Sequence, residues 1–367
     1  MKRIWIICFL AAGILYACSK SGSKGGGGGG TTPTGGDEAL TNIGNNIILL
    51  AYASLNGSVN SLDSAIIDFN AGPTADKLTA LQNFFKKAYV NWEAVSSYNY
   101  FGPASSNQPV LSGLNLFPTN TVTIESNISS GSNNVNAFTN ASAKGFPALD
   151  YLLFGAGNGT LAGFSDANRK AYLAAVSADI KAEVNAVVKS WSTYVTTFVA
   201  GSGNSVSGSL GLLINSMVQD FEITKNDRLG IPLGKQPPGQ SLPILPKELE
   251  GYYSGISSQL CQAQLKSVQN LYLGIGTAGN GKGLEDYVTR KAIKYGNGLL
   301  NDTLKVQFTS AVNGMAAIAD PMSASIQSNA APANAVYATT QLLVVLLKTD
   351  MASGLGILIT FGDNDGD

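Results

Sequence analysis

The chain contains no histidine among its 367 residues, and that single absence excludes a large part of enzyme chemistry. Ser-His-Asp and Cys-His nucleophile systems, histidine-ligated zinc and haem held by a proximal histidine all need an imidazole. Charge is scarce as well. Asp, Glu, Lys and Arg make up 13% of the residues, about half of the ~25% usual in soluble domains. With 23 basic against 24 acidic residues and a pI near 5.6 there is no basic excess, so no nucleic-acid partner is expected. Cysteine is limited to Cys8, Cys18 and Cys261. Period-two alternation is nearly missing, with short strand signals only at 122–124 and 356–361. What remains is 44% apolar residues and enough aromatics for a core in a chain long enough for two packed units.

The amino terminus reads as an address. Met1-Lys2-Arg3 opens an uncharged apolar run from Ile4 to Ile14, too short to span a bilayer but of secretory-signal length. It ends in Leu15-Tyr16-Ala17-Cys18, which resembles a bacterial lipobox. The expected organisation is a signal peptide at 1–17, a lipidated Cys18 heading a Gly/Ser-rich tether at 18–36, and a folded body at 37–367. Multiple acylation at Cys18 would anchor the chain stably. Ser19 after the Cys resembles the outer-membrane sorting signal, so the expected location is an outer-membrane lipoprotein, facing either the periplasm or the outside. The membrane then becomes a partner through the lipid. Cys261 is left as the only thiol of the body, in an apolar helical pattern that suits a small buried hydrophobe.

From Asp37 on, the apolar period is 3.6. Leu78, Leu81, Phe85, Ala88, Trp92 and Val95 form one face of a helix over 74–96 with Thr74 as N-cap, and a second long helix runs over about 165–200. Further helices are expected at 38–70, 208–228, 257–273, 284–318 and 331–351. The fold class is all-α: two helical bundles, divided at roughly 200–245, with long irregular loops at 98–144 and 229–246. A faint echo of Ala-Gly-Asn-Gly at 156–159 and 278–281 suits two similar halves. The GxGxxG at 274–279 follows a helix, not a strand, and so reads as an interhelical loop, not a dinucleotide site. The acidic tail Asp363-Asn364-Asp365-Gly366-Asp367 stops short of a full calcium loop.

Gly145-Phe146-Pro147-Ala148-Leu149-Asp150 resembles the motif segment of the imelysin family. Asn91-Trp92-Glu93 before Gly102-Pro103, Arg228 to Lys235, and Glu250 to Ser257 agree with it in order. The resemblance implies a two-bundle, all-helical bacterial envelope protein of a family described as metallopeptidases or iron-regulated proteins. It also implies iron or another metal ion as the candidate cofactor and uptake-system proteins as candidate partners. The family motif is Gly-x-His-x-x-Glu, whose His and Glu can share a metal. Here Gly145 is kept, Pro147 stands in the His position and Asp150 in the Glu position. Proline offers no donor, and aspartate reaches about 1.5 Å less than glutamate. Asp150 is the one candidate metal ligand left in the motif, and no catalytic residue is assigned.

Read from the residues themselves, Pro147 fits the first turn of a helix and Asp150 suits the helix start. Asp150 is hemmed by apolar neighbours and needs a partner, for which Arg228 or Lys235 is expected. Trp92 falls on the core stripe, while Glu93 lies off it, toward a cleft. Glu250 and Tyr253 complete the candidate cleft. Two readings follow: a lipid-tethered binding protein without peptidase activity, or a divergent peptidase whose metal is held by carboxylates such as Asp150, Glu93 and Glu250 alone.

Overall fold

The computed structural model describes residues 37–104, 113–155, 157, 159–201 and 203–362. The signal, Cys8, Cys18, the tether, Ala156 and Asn158 of the echo and the acidic tail lie outside the described residues. The body is helical throughout, and the strands among the described residues are two hairpins of two-residue strands, Ile275–Gly276 with Gly279–Asn280 and Lys294–Tyr295 with Gly298–Leu299.

The first half begins with α1 (Glu38–Asn42), capped by the Asp37 carboxylate, which runs through a π-turn at Ile43–Ile48 into α2 (Leu49–Ala71). Next comes α3 (Ala75–Glu93), capped by Thr74 as the sequence predicts. The helices α4 (Thr121–Ser130), α5 (Gly145–Phe154) and α6 (Ala167–Ala200) follow. In the second half α7 (Ser209–Ile223) continues as a π-helical stretch, Thr224–Gly230. Then come α8 (Ser257–Leu273), α9 (Leu284–Lys291), α10 (Leu300–Ala316), α11 (Met322–Ser328) and α12 (Ala331–Val345). A π-turn at Leu346–Met351 joins α12 to α13 (Ala352–Leu355).

Three expectations need correction. The stretch 122–124 lies in α4, where Ile124 and Ile128 turn to the core at a spacing of four. Two β-branched residues at alternate positions could not outweigh that. The expected helix at 284–318 is broken in two by the hairpin at Lys294–Leu299, after Ala292 takes a left-handed conformation (φ 47°) and ends α9. The segment 356–361 adds no strand.

Helix α2 packs on both α3 and α6, α10 packs on α8 and α12, and α3 meets α8 where the halves join. The core is contiguous from Ala39 to Ile357. Trp92 and Trp191 are wholly buried in it, Trp92 beside Phe146 (5.9 Å between rings) and Trp191 stacked on Tyr52 (5.9 Å). Cys261 is buried, as its pattern predicts, and burial pushes its thiol up to about 12.

Candidate functional site

Helix α5 carries the motif, and its entry explains the glycine. Gly145 sits at φ 76°, and a Cβ there would lie 2.3 Å from the Leu114 carbonyl oxygen, so the chain passes too closely for any side chain. Pro147 is buried in the first turn, where no amide hydrogen is needed. Asp150 lies one turn further on and is 2% exposed.

The expected ion pair of Asp150 with Arg228 or Lys235 is not formed. Asp150 instead accepts two backbone hydrogen bonds from the turn before α8. The Tyr253 amide donates to Oδ2 at 2.9 Å and the Ser254 amide to Oδ1 at 2.8 Å. Burial raises its pKa to about 6, against the lowering effect of these bonds, and the nearby Glu250 charge adds to the rise. Lys235 is exposed. Glycines at 251 and 255, with φ 64° and 66°, let the turn fold back so that consecutive amides face one carboxylate.

Arg228 has other partners. The widened turn of the π-helix after α7 carries it inward, and it is 3% exposed. Its Nε donates to Glu250 Oε2 at 2.6 Å, its Nη2 lies 2.8 Å from Glu93 Oε2, and its Nη1 donates to Thr224 Oγ1 at 3.1 Å. Asp220 Oδ1 lies 3.6 Å from Nη1. Burial opposes the guanidinium's charge, but the three carboxylates outweigh it and hold its pKa well above the usual value. Glu93 is the last residue of α3 and is wholly buried, not facing an open cleft as its place off the stripe predicts. Burial foremost, then the Glu250 charge and a hydrogen bond with Glu250, raise its pKa well above normal, although Arg228 pulls the other way.

Several residues of this network escape a search for family motifs. Asn115 donates to Glu250 Oε1 at 2.6 Å and lies 3.4 Å from Glu93 Oε1, while the Tyr89 hydroxyl donates to its carbonyl oxygen at 2.9 Å. Asp220 Oδ2 accepts from Ser96 Oγ, Ser97 Oγ and Gln264 Nε2 at 2.7, 2.8 and 2.8 Å. A signal for them is present. Asp220, Thr224 and Arg228 recur every four residues along one helical run, which places them on one helix face.

The turn at 250–254 is therefore held at both ends, by the Glu250 side chain on Arg228 and Asn115 and by its amides on Asp150. Tyr253 packs edge-on against both Tyr151 and Tyr252 (5.1 Å each). Both tyrosines of the pair are half-buried, so this turn carries the network to the surface.

The metal implied by the motif does not fit these residues. Pro147 has no donor atom, and each Asp150 oxygen already accepts a backbone amide, which holds the carboxylate in place. The remaining acids surround a cation already there, the Arg228 guanidinium. Among the described residues no three His, Cys, Asp or Glu side chains are arranged to hold a metal ion.

Comparison with known proteins agrees with this fold. The family model described as Imelysin matches residues 48–348. An imelysin-like protein from Psychrobacter arcticum 273-4 superposes with a TM-score of 0.67 at 19% identity, covering 88% of this chain and 96% of that one. An iron-regulated protein A precursor from Parabacteroides distasonis ATCC 8503 superposes with a TM-score of 0.69 at 17% identity, covering 86% and 94%. A search of curated proteins found no match.

Proposed function

The chain belongs to the imelysin family, and from that premise we propose that it is a lipid-anchored binding protein of a bacterial cell envelope. It serves iron-regulated uptake without cleaving peptides. The observation that carries this reading is the state of the motif. The carboxylate in the family's acid position is a backbone clamp, and the acids around it are held by Arg228.

A hydrolase must activate water or attack the carbonyl itself. Here the residues that would hold a metal for the first route are engaged, and no imidazole exists to serve the second. The alternative of a peptidase with a carboxylate-only metal site needs Glu93, Glu250 and Asp150 as free donors. The bonds each of them makes weigh against it. A binding protein needs no such freedom. It needs a stiff frame that presents a surface, and the doubly pinned turn carrying Tyr252 and Tyr253 is such a surface. The ligand is then an iron complex or another molecule met by aromatic rings, and not a bare ion. The lipobox-like ending at Cys18, the polar tether and the iron-regulated name of one structural relative support the envelope setting.

The test has two arms. The full chain is incubated with an unfolded protein substrate, with and without added zinc, manganese, calcium or iron. No cleavage above the level of an inactive control protein is expected, and metal-dependent cleavage would overturn the reading. Mass analysis of the protein recovered from bacterial membranes should find acyl groups on Cys18, and an unmodified Cys18 would remove the anchor.

A further inference from the structure

A cavity lies away from the motif, where the body begins. It has a volume of about 270 Å³, just below the ~300–1,000 Å³ of pockets for drug-sized ligands, so it suits a small metabolite. Leu40 from α1, Leu210 from α7 and Leu355 from α13 supply its buried apolar walls. The polar side chains are Asp37, Asn204, Tyr287, Arg290 and Lys291, and Asn204 Nδ2 already donates to the Leu355 carbonyl at 2.9 Å.

Asp37 caps α1 through Oδ1, which accepts the Ala39 and Leu40 amides at 3.0 and 3.3 Å, and its carboxylate also interacts with the Tyr287 hydroxyl. Tyr287 is 8% exposed, yet its buried hydroxyl lies near the Asp37 carboxylate without a well-formed hydrogen bond. A buried hydroxyl left in that state is destabilising unless something fills its place. Arg290 and Lys291 line the solvent side and are exposed, with the Arg290 guanidinium 5.1 Å from the Tyr287 ring centre.

The charges select among ligands. A purely anionic ligand would meet the Asp37 carboxylate, and a purely cationic one would meet Arg290 and Lys291. A molecule carrying both charges close together, on an apolar side chain, satisfies all of them. We infer that this cavity is a binding site for an apolar α-amino acid, its ammonium group on Asp37, its carboxylate toward Tyr287, Arg290 and Lys291, and its side chain between the three leucines. The site shares no residue with the motif region, so it stands or falls independently of the function proposed above.

Calorimetric titration of the full chain with L-leucine, leucinamide and 4-methylpentanoate tests the assignment. Leucine should bind one to one, and the two analogues, each lacking one charge, should bind at least about tenfold more weakly. Tyr287→Phe and the pair Arg290→Gln with Lys291→Gln should each weaken leucine about tenfold. Asp37→Asn should do the same while keeping the helix cap, since asparagine caps as well as aspartate. Arg290 and Lys291 are exposed, so their variant reports on the site even where Tyr287→Phe disturbs folding. Three outcomes would overturn the inference: no saturable leucine binding up to about 10 mM, 4-methylpentanoate binding as tightly as leucine, or affinity unchanged in the Arg290/Lys291 variant.

Discussion

Replacing Arg228 by methionine removes the one cation among Glu93, Glu250 and Asp220, three side chains that are 0–3% exposed. Breaking a buried pair by deleting one partner costs about 3–5 kcal/mol, because the other partner stays buried and uncompensated. Unfolding entropy of about 2.1 cal/mol/K per residue over a body of roughly 330 residues is about 0.7 kcal/mol/K, so the melting temperature should fall by about 4–7 °C. The sign of the pH dependence follows from the acids left behind. Without Arg228 the pull that lowers the Glu93 pKa is lost, so that pKa, already raised by burial, rises further, and the loss grows as pH rises above the ordinary carboxylate range. Circular dichroism melts at pH 5 and pH 8 read both effects. The deficit should be larger at pH 8 and should shrink when Glu250→Gln and Asp220→Asn are added. A deficit below about 1 kcal/mol at pH 8, or one equal at both pH values, would refute the idea that Arg228 neutralises this cluster.

Three other outcomes are expected. Asp150→Asn should gain on the wild type as pH rises from about 4 to about 7. A folded pKa of about 6 against an ordinary 3.8 means the ionised carboxylate costs the folded state up to about 3 kcal/mol, lost progressively over that window, and melts across it check this. Gly145→Ala should destabilise by at least about 2 kcal/mol, from the left-handed backbone and the clash with the Leu114 carbonyl, as read from urea midpoints. Cys261 should stay unlabelled by thiol reagents at pH 8 until denaturant is added, its thiol being buried and its pKa pushed up to about 12.

The helical class was legible because the apolar period repeats over long runs such as Leu78 to Val95 and Leu173 to Phe198, where burial and propensity agree. The break at Ala292 was not. A non-glycine residue entering the left-handed region leaves little trace in composition, and the polar hairpin after it can be absorbed into a helical pattern. At the site, Trp92 is core as its stripe predicts, and Arg228, Glu93 and Glu250 do come together. What misled was pairing by charge alone. Asp150 needed a partner, and the cation expected for it went to Glu93 and Glu250, while two backbone amides served Asp150. Backbone donors have no sequence identity, so a carboxylate they satisfy looks unpartnered until the turn that presents them is seen.

The motif position is a clamp and not a metal site. Calorimetric titration of the full chain with ferrous, ferric, calcium, magnesium and zinc ions tests it most directly, with Asp150→Ala measured alongside. No stoichiometric binding that depends on Asp150 is expected. One-to-one binding of any of these ions that is present in the wild type and lost in Asp150→Ala would contradict it.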